Sequence, residues 1–261
     1  MKTVIVPVDF SETSLNAARY AIKMLTGHYG VHMILHHVYE KTSQASEANQ
    51  RLESLKEELM TVGIVKITPL AEEGSDFRAV LEKLARLHQA DLITMGITGR
   101  TSIGQTIIGS NTLKMVEQKV CPVLIIPPDC TYSDVKNILL TSSFKNISDS
   151  TPFVPIKKVL KPFHPGLHIM NVDSEHYIAI TEEYQAEQVK LKEMFSEFNP
   201  DFYFLSLHDI DEAINQFAND KKIDLIILIH KEQTLFSKLF VKSHTKKLAY
   251  ESNIPVLAVH E

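Results

Sequence analysis

Asp91-Leu92-Ile93-Thr94-Met95-Gly96 is matched 133 residues further on (224 − 91) by Asp224-Leu225-Ile226-Ile227-Leu228-Ile229. Each is a short apolar run opened by an aspartate, the pattern of a buried parallel strand. A second pair keeps the same offset: Cys121-Pro122-Val123-Leu124-Ile125-Ile126 against Ile254-Pro255-Val256-Leu257-Ala258-Val259. The first strands match at an offset of 134, Val4-Ile5-Val6-Pro7-Val8-Asp9-Phe10 against Ile138-Leu139-Leu140-Thr141-Ser142-Ser143-Phe144. A shared offset across separated blocks reads as a tandem duplication. Its period is too long for a solenoid repeat, so each copy is expected to be a domain with its own core.

Within the first copy, strands alternate with helices. Val4 to Val8 reads as a strand. Ser11 offers an N-cap and Glu12 a favourable first turn for a helix that Gly27 ends. Val31 to Val38 is a second strand, and Leu52, Leu55 and Leu59 mark a second helix closed near Gly63. Ile64 to Leu70 is a third strand, followed by a helix opened by Ser75 and Asp76 that turns Phe77, Val80, Leu81, Leu84 and Leu87 inward. Asp91 to Gly96 is a fourth strand, Ser110 caps a fourth helix, and Val123 to Ile126 is a fifth strand. This alternation predicts an α/β fold: two tandem doubly wound, five-stranded parallel-sheet domains of Rossmann-like type. The expected domains are residues 1–128 and 135–261, with Pro127 to Asp134 as the linker.

The chain has 261 residues, 44% of them apolar, too many for a disordered chain. Its formal net charge of −5 argues against broad electrostatic binding to nucleic acid or to an anionic membrane. No apolar run approaches a membrane span, and the N-terminus carries no signal-peptide pattern, so a cytoplasmic protein is expected. Cys121 and Cys130 form neither a disulfide framework nor a metal spacing. None of the 12 histidines sits in a zinc-peptidase pattern; His164-Pro165-Gly166-Leu167-His168 reads as a turn. No nucleophile elbow or kinase signature is present.

The segment that carries chemistry runs from Met95-Gly96-Ile97-Thr98-Gly99-Arg100 to Gly109-Ser110-Asn111-Thr112. Four of the chain's nine glycines, Gly96, Gly99, Gly104 and Gly109, fall within it. Glycines after a strand allow backbone N–H groups to approach an anion, and Gly109-Ser110 at a helix start adds free donors and the positive dipole end. Arg100 either adds a charge or points into solvent. The same glycines also suit a connection that needs positive φ, and the residues alone leave both readings open. The pattern is neither a P-loop nor the dinucleotide fingerprint. Asp9 ends the first strand. If strands one and four are neighbours, its carboxylate faces the glycine segment across one crevice and can accept ribose hydroxyls.

Through Pro7-Val8-Asp9-Phe10-Ser11, His37-Val38 and the full glycine pattern leading to Cys121-Pro122-Val123, the chain resembles the universal stress protein family in its tandem form, strongly over residues 1–128 and weakly beyond. That resemblance implies an adenine nucleotide alpha hydrolase-like fold and ATP as the ligand. It places Asp9 at the ribose, the Val38 backbone at the adenine, and Pro7, Val8 and Met95 around base and sugar. Gly96, Thr98, Gly99, Gly109, Ser110, Asn111 and Thr112 would surround the phosphates, with Arg100 beside them. It implies Mg or another divalent ion with the phosphates, without fixing which. It also implies fifth-strand pairing of Val123 to Ile126 with Val256 to Val259, an intramolecular pseudo-dimer, and leaves assembly into a homodimer open.

At the same offsets the second copy has lost the pattern. Gly96 becomes Ile229, Gly99 becomes Glu232, Gly109 becomes Lys242 and Asp9 becomes Ser143; Ser110 survives as Ser243. Side chains now block each close backbone approach, and Glu232 sets negative charge beside a triphosphate. Lys231 and Lys242 leave a different anion conceivable in that cleft. The expected protein is a nucleotide-responsive stress regulator or adaptor that binds ATP in its first domain, with at most slow hydrolysis for lack of a placed general base. Its protein partner is not specified by the sequence. The rivals are a nucleotide-independent assembly scaffold and an enzyme of the wider alpha hydrolase group; Pro7-Val8-Asp9-Phe10-Ser11 lacks the first loop of the latter.

Overall fold

A computed structural model describes residues 1–97, 110–171, 182–204, 210–230 and 253–261. The chain divides into two compact units, Met1–Ser133 and Asp134–Glu261.

The first unit contains β1 (Thr3–Pro7), α1 (Glu12–Leu25), β2 (His32–Tyr39), α2 (Ala45–Met60), β3 (Lys66–Glu73), α3 (Phe77–Leu87), β4 (Leu92–Gly96), α4 (Ser110–Glu117) and β5 (Val123–Ile126). Its strands lie in the order β3-β2-β1-β4-β5, all parallel where paired. The order reverses between β1 and β4, and the carboxyl ends of those two strands form the switch point where doubly wound sheets bind ligands. Val4, Ile5, Val6, Leu92 and Ile93 are fully buried, as strands covered on both faces require.

Helix α1 forms where its sequence signals it. Ser11 is the N-cap and accepts from the Ser14 N–H, Lys23 lies in the last turn, and Gly27 takes a left-handed φ of 88° just beyond the end. Ala17, Ala18 and Ala21 lie on its buried face, and such small residues let it sit close to the sheet. Asp76 caps α3 as expected, accepting from the Arg78 and Ala79 N–H groups. The inward set of α3 differs from expectation: Leu81, Leu84 and Ala85 are buried, Phe77 and Val80 only partly so, and Leu87 is 72% exposed. One stripe of a short amphipathic helix meets the sheet, and Leu87, in the last turn, lies off it.

The second unit contains β6 (Asn137–Ser142), α5 (Ile147–Ser150), α6 (Phe153–Leu160), β7 (Gly166–Asn171), α7 (Glu182–Met194), β8 (Asp201–Phe204), α8 (Ile210–Asp220), β9 (Leu225–His230) and β10 (Val256–His260). Its strands run β8-β7-β6-β9-β10, the order of the first unit.

The duplication extends to local geometry. Asp91 accepts from the Lys2 N–H at 2.5 Å, and Asp224 accepts from the Lys136 and Asn137 N–H groups at 2.8 Å each. Both carboxylates thus satisfy amides at the amino end of a first strand. Phe10 and Phe144 both take left-handed backbone, at φ 62° and 53°, as do Gln89 and Lys222 at 47° and 51°.

Candidate functional site

At the end of β1 the chain turns sharply. Val8 donates its N–H to the His36 carbonyl at 2.8 Å, and Asp9 follows. The Asp9 Oδ1 accepts from the Ser11 N–H at 3.0 Å and the Ser11 hydroxyl at 2.5 Å. Partial burial works against its charge, but the bonds from Ser11 and Ser14 outweigh it and hold the carboxyl below its ordinary value. Asp9 therefore stands ionised and exposed just ahead of the Ser11 cap of α1, with Oδ1 held by Ser11.

Phe10 is left-handed, an uncommon conformation for a bulky side chain, and its surroundings hold it there. Its ring lies 4.7 Å from that of His37, and the Arg51 guanidinium sits 4.0 Å over its centroid. At this half-exposed site the cation–π contact is worth about 0.5–1 kcal/mol. Beside the stack is a cavity of about 200 Å³, lined by Phe10, His37 and Val38, by Gln44 just before α2, and by Glu47 and Arg51 of α2.

Val38 borders this cavity. Successive residues of a strand present their N–H and C=O to opposite neighbours. The His36 carbonyl faces β1, where it meets Val8, and the Tyr39 carbonyl faces β3, where it accepts from Gly74. The N–H and C=O of Val38 therefore face the β1 side. The β1–β2 register ends at Pro7↔His36, so among the described residues no strand pairs with this donor–acceptor edge where β1 has turned away.

Gly96 ends β4, opposite Ile126. A Cβ there would lie 2.2 Å from the Thr13 carbonyl oxygen and 3.2 Å from the Ser14 nitrogen. The glycine expected to admit an anion is thus required, in the first place, by the close approach of α1. Thr112 is buried and donates its hydroxyl to the Gly96 carbonyl at 3.1 Å, which ties the first turn of α4 to the end of β4. Both α1 and α4 therefore begin at the carboxyl edge where Asp9 stands, with the positive ends of their dipoles there.

The structure brings Pro7, Val8, Asp9, Val38, Met95, Gly96 and Thr112 to this edge, with Pro7, Val8 and Met95 buried beneath it. Asn111 is exposed in the first turn of α4. Ser110 is the first residue of that helix. Thr98, Gly99, Arg100 and Gly109 lie outside the described residues, as do Lys231, Glu232, Lys242 and Ser243 of the second copy. Sequence reasoning missed the parts played by Phe10, Gln44 and Arg51. Recurrence of the phenylalanine at 144, in a stretch where Asp9 has become Ser143, was the available signal.

No thiol here is primed for chemistry. Burial pushes Cys121 up to about 12, and burial likewise lifts Cys130 to about 11. Among the described residues no group of three His, Cys, Asp or Glu is placed to hold a metal ion, and no helix is long and apolar enough to cross a membrane.

Two tandem doubly wound α/β units, the first with its switch point at two helix N-termini, define the class. The chain belongs to the universal stress protein family, whose model matches residues 1–127 and 170–260. It is similar to a universal stress protein of Methanocaldococcus jannaschii, 29% identical over 142 residues that cover 48% of this chain and 81% of that protein. A solved universal stress protein from Archaeoglobus fulgidus shares the fold along 99% of this chain and 98% of its own, with a TM-score of 0.73 and 16% identity. A universal stress protein solved in complex with cAMP aligns with 48% of this chain and 95% of its own at 24% identity, with a TM-score of 0.41.

Proposed function

We propose that the first unit binds an adenine nucleotide, ATP with Mg, at the carboxyl edge of β1, β2 and β4, and that occupancy makes the protein a nucleotide-responsive regulator or adaptor. The observation that carries this reading is the Val38 backbone edge. An adjacent donor and acceptor pointing into open space match adenine, whose exocyclic amine donates to a carbonyl while a ring nitrogen accepts from an N–H. Asp9 stands at the neighbouring strand end with an ionised, exposed carboxylate able to accept from ribose hydroxyls. The N-termini of α1 and α4 favour the negative charge of phosphates beyond it. With no metal cage among the described residues, Mg enters this reading through the phosphates rather than through protein ligands.

Hydrolysis is expected to be slow. His37 has its Nδ1 on the Val8 carbonyl, and Asp9 is held by Ser11, so neither is aimed at an attacking water. The second unit serves as a structural partner in this reading. Titration of ATP with Mg into the full chain should saturate at one nucleotide per chain. Gly99→Glu, which copies the second unit's Glu232, should abolish binding while the far-ultraviolet spectrum stays unchanged. No saturable binding by the unaltered chain would leave the nucleotide-independent scaffold in its place.

A further inference from the structure

The ladder between β1 and β2 stops one rung before it has to. Its last bond runs from the Val8 N–H to the His36 carbonyl. In a parallel pair the next rung would run from the Val38 N–H to the Val8 carbonyl. That carbonyl is instead held by the His37 ring, with Nδ1 at 2.8 Å. A carbonyl only accepts, so Nδ1 carries the hydrogen and donates it. The His37 ring is braced by Phe10, 4.7 Å away, and Phe10 by Arg51.

The second unit shows the alternative. At the offset of 134, His37 becomes Asn171, and the shorter amide donates to the Ser143 carbonyl, one residue further along, at 3.2 Å. There the β6–β7 register does not stop at Thr141↔Met170, the counterpart of Pro7↔His36, but continues to Ser142↔Asn171.

We propose that His37 is a positioning residue that keeps the base-reading edge open: by taking the Val8 carbonyl it withholds the rung that would consume the Val38 N–H. This rests on the reading of Val38 as the edge that meets the base, but its first test needs no nucleotide. Amide hydrogen exchange of the full chain, without ligand, should find the Val38 N–H unprotected relative to its β2 neighbours. His37→Asn, which installs the second unit's residue, and His37→Leu, which removes the donor, should each slow that exchange at least about tenfold as the ladder closes. The paired binding test is a split. Affinity for ATP should fall about tenfold in both variants while affinity for inorganic tripolyphosphate is unchanged, whereas a damaged fold would lose both. A protected Val38 amide in the unaltered chain, or exchange at Val38 that neither variant alters, overturns the proposal. Exchange that responds as expected in a chain that binds no nucleotide keeps the role of His37 and refutes the nucleotide reading instead.

Discussion

The same corner of the fold is built twice, and the copies have gone opposite ways. In the first unit the left-handed Phe10 stacks on His37 beneath Arg51, and a cavity remains beside it. In the second, Phe144 is left-handed at the equivalent position but is buried against Tyr184, Phe202 and Phe204, with ring centroids 5.3–5.9 Å away. Aromatic side chains occupy the second corner, and a cation and polar groups border the first. The helices differ too. Gly96 lets α1 run unbroken against β4, whereas its counterpart Ile229 is a buried side chain. Where α1 would continue in the second unit the helix is split into α5 and α6 at Thr151-Pro152, with Thr151 extended at φ −112° and ψ 109°. Proline lacks the N–H and disfavours helix in the residue before it. The same scaffold thus accepts apolar core residues at this corner of one unit and a polar, glycine-bearing edge in the other.

Exchanging residues between the units is the direct way to break this comparison. The largest effect is expected from Gly96→Ile. Its Cβ would meet backbone, which cannot give as a side-chain tip would, so the first unit should lose more than about 3 kcal/mol, read as a shift of one transition in a chemical denaturation curve. Phe144→Ala should cost the second unit about 3–4 kcal/mol, because it empties the centre of an aromatic cluster. Phe10→Ala, at a half-buried ring, should cost the first unit clearly less in the same measurement.

His36 sharpens the comparison through pH. It is fully buried, with Nε2 3.0 Å from Glu72 Oε2, where the second unit has Met170. Burial lowers it from 6.5 to about 4, and the nearby Glu72 only partly offsets this. The folded value lies below the unfolded one, so the unfolded chain takes up the proton first as pH falls. The contribution of neutral His36 is complete above pH 6.5 and is lost as pH drops toward 4. His36→Met should remove that dependence, on the order of 1 kcal/mol or more across the window, as measured by denaturation at pH 7 and pH 4.5. The smallest effect on the fold is expected from Asp9→Asn. Its carboxyl is held low, so its contribution is present above 3.8 and fades below it; the variant should flatten stability in that acid range only. The same change should weaken ATP about tenfold near neutral pH, and titration calorimetry that finds unaltered affinity would remove Asp9 from the site.

Much of this was legible in the residues. The β-branched runs place β1, β4 and β5 within a residue or two, and Ser11 and Asp76 cap the helices they announce. Boundaries were less legible: α2 begins at Ala45, seven residues before the leucine stripe that signals it, because Ala48 is the only buried side chain of its first two turns. The glycine pattern marked where the site lies but not what each member does. Gly96 is explained by the Thr13 carbonyl, a contact between residues more than 80 positions apart that no local pattern contains.

The sequence by itself determined the duplication, the alternation of strand and helix, and the divergence of the second copy, because these rest on periodicity and residue type, which are local. Only the tertiary structure decided that β1 leaves the Val38 edge unpaired, that the His37 ring rather than the Val38 N–H holds the Val8 carbonyl, and that Phe10 borders a cavity while Phe144 lies buried among aromatic rings. Those outcomes depend on which backbone groups find each other across strands, and hydrogen-bond competition of that kind is settled by geometry at the ends of a sheet.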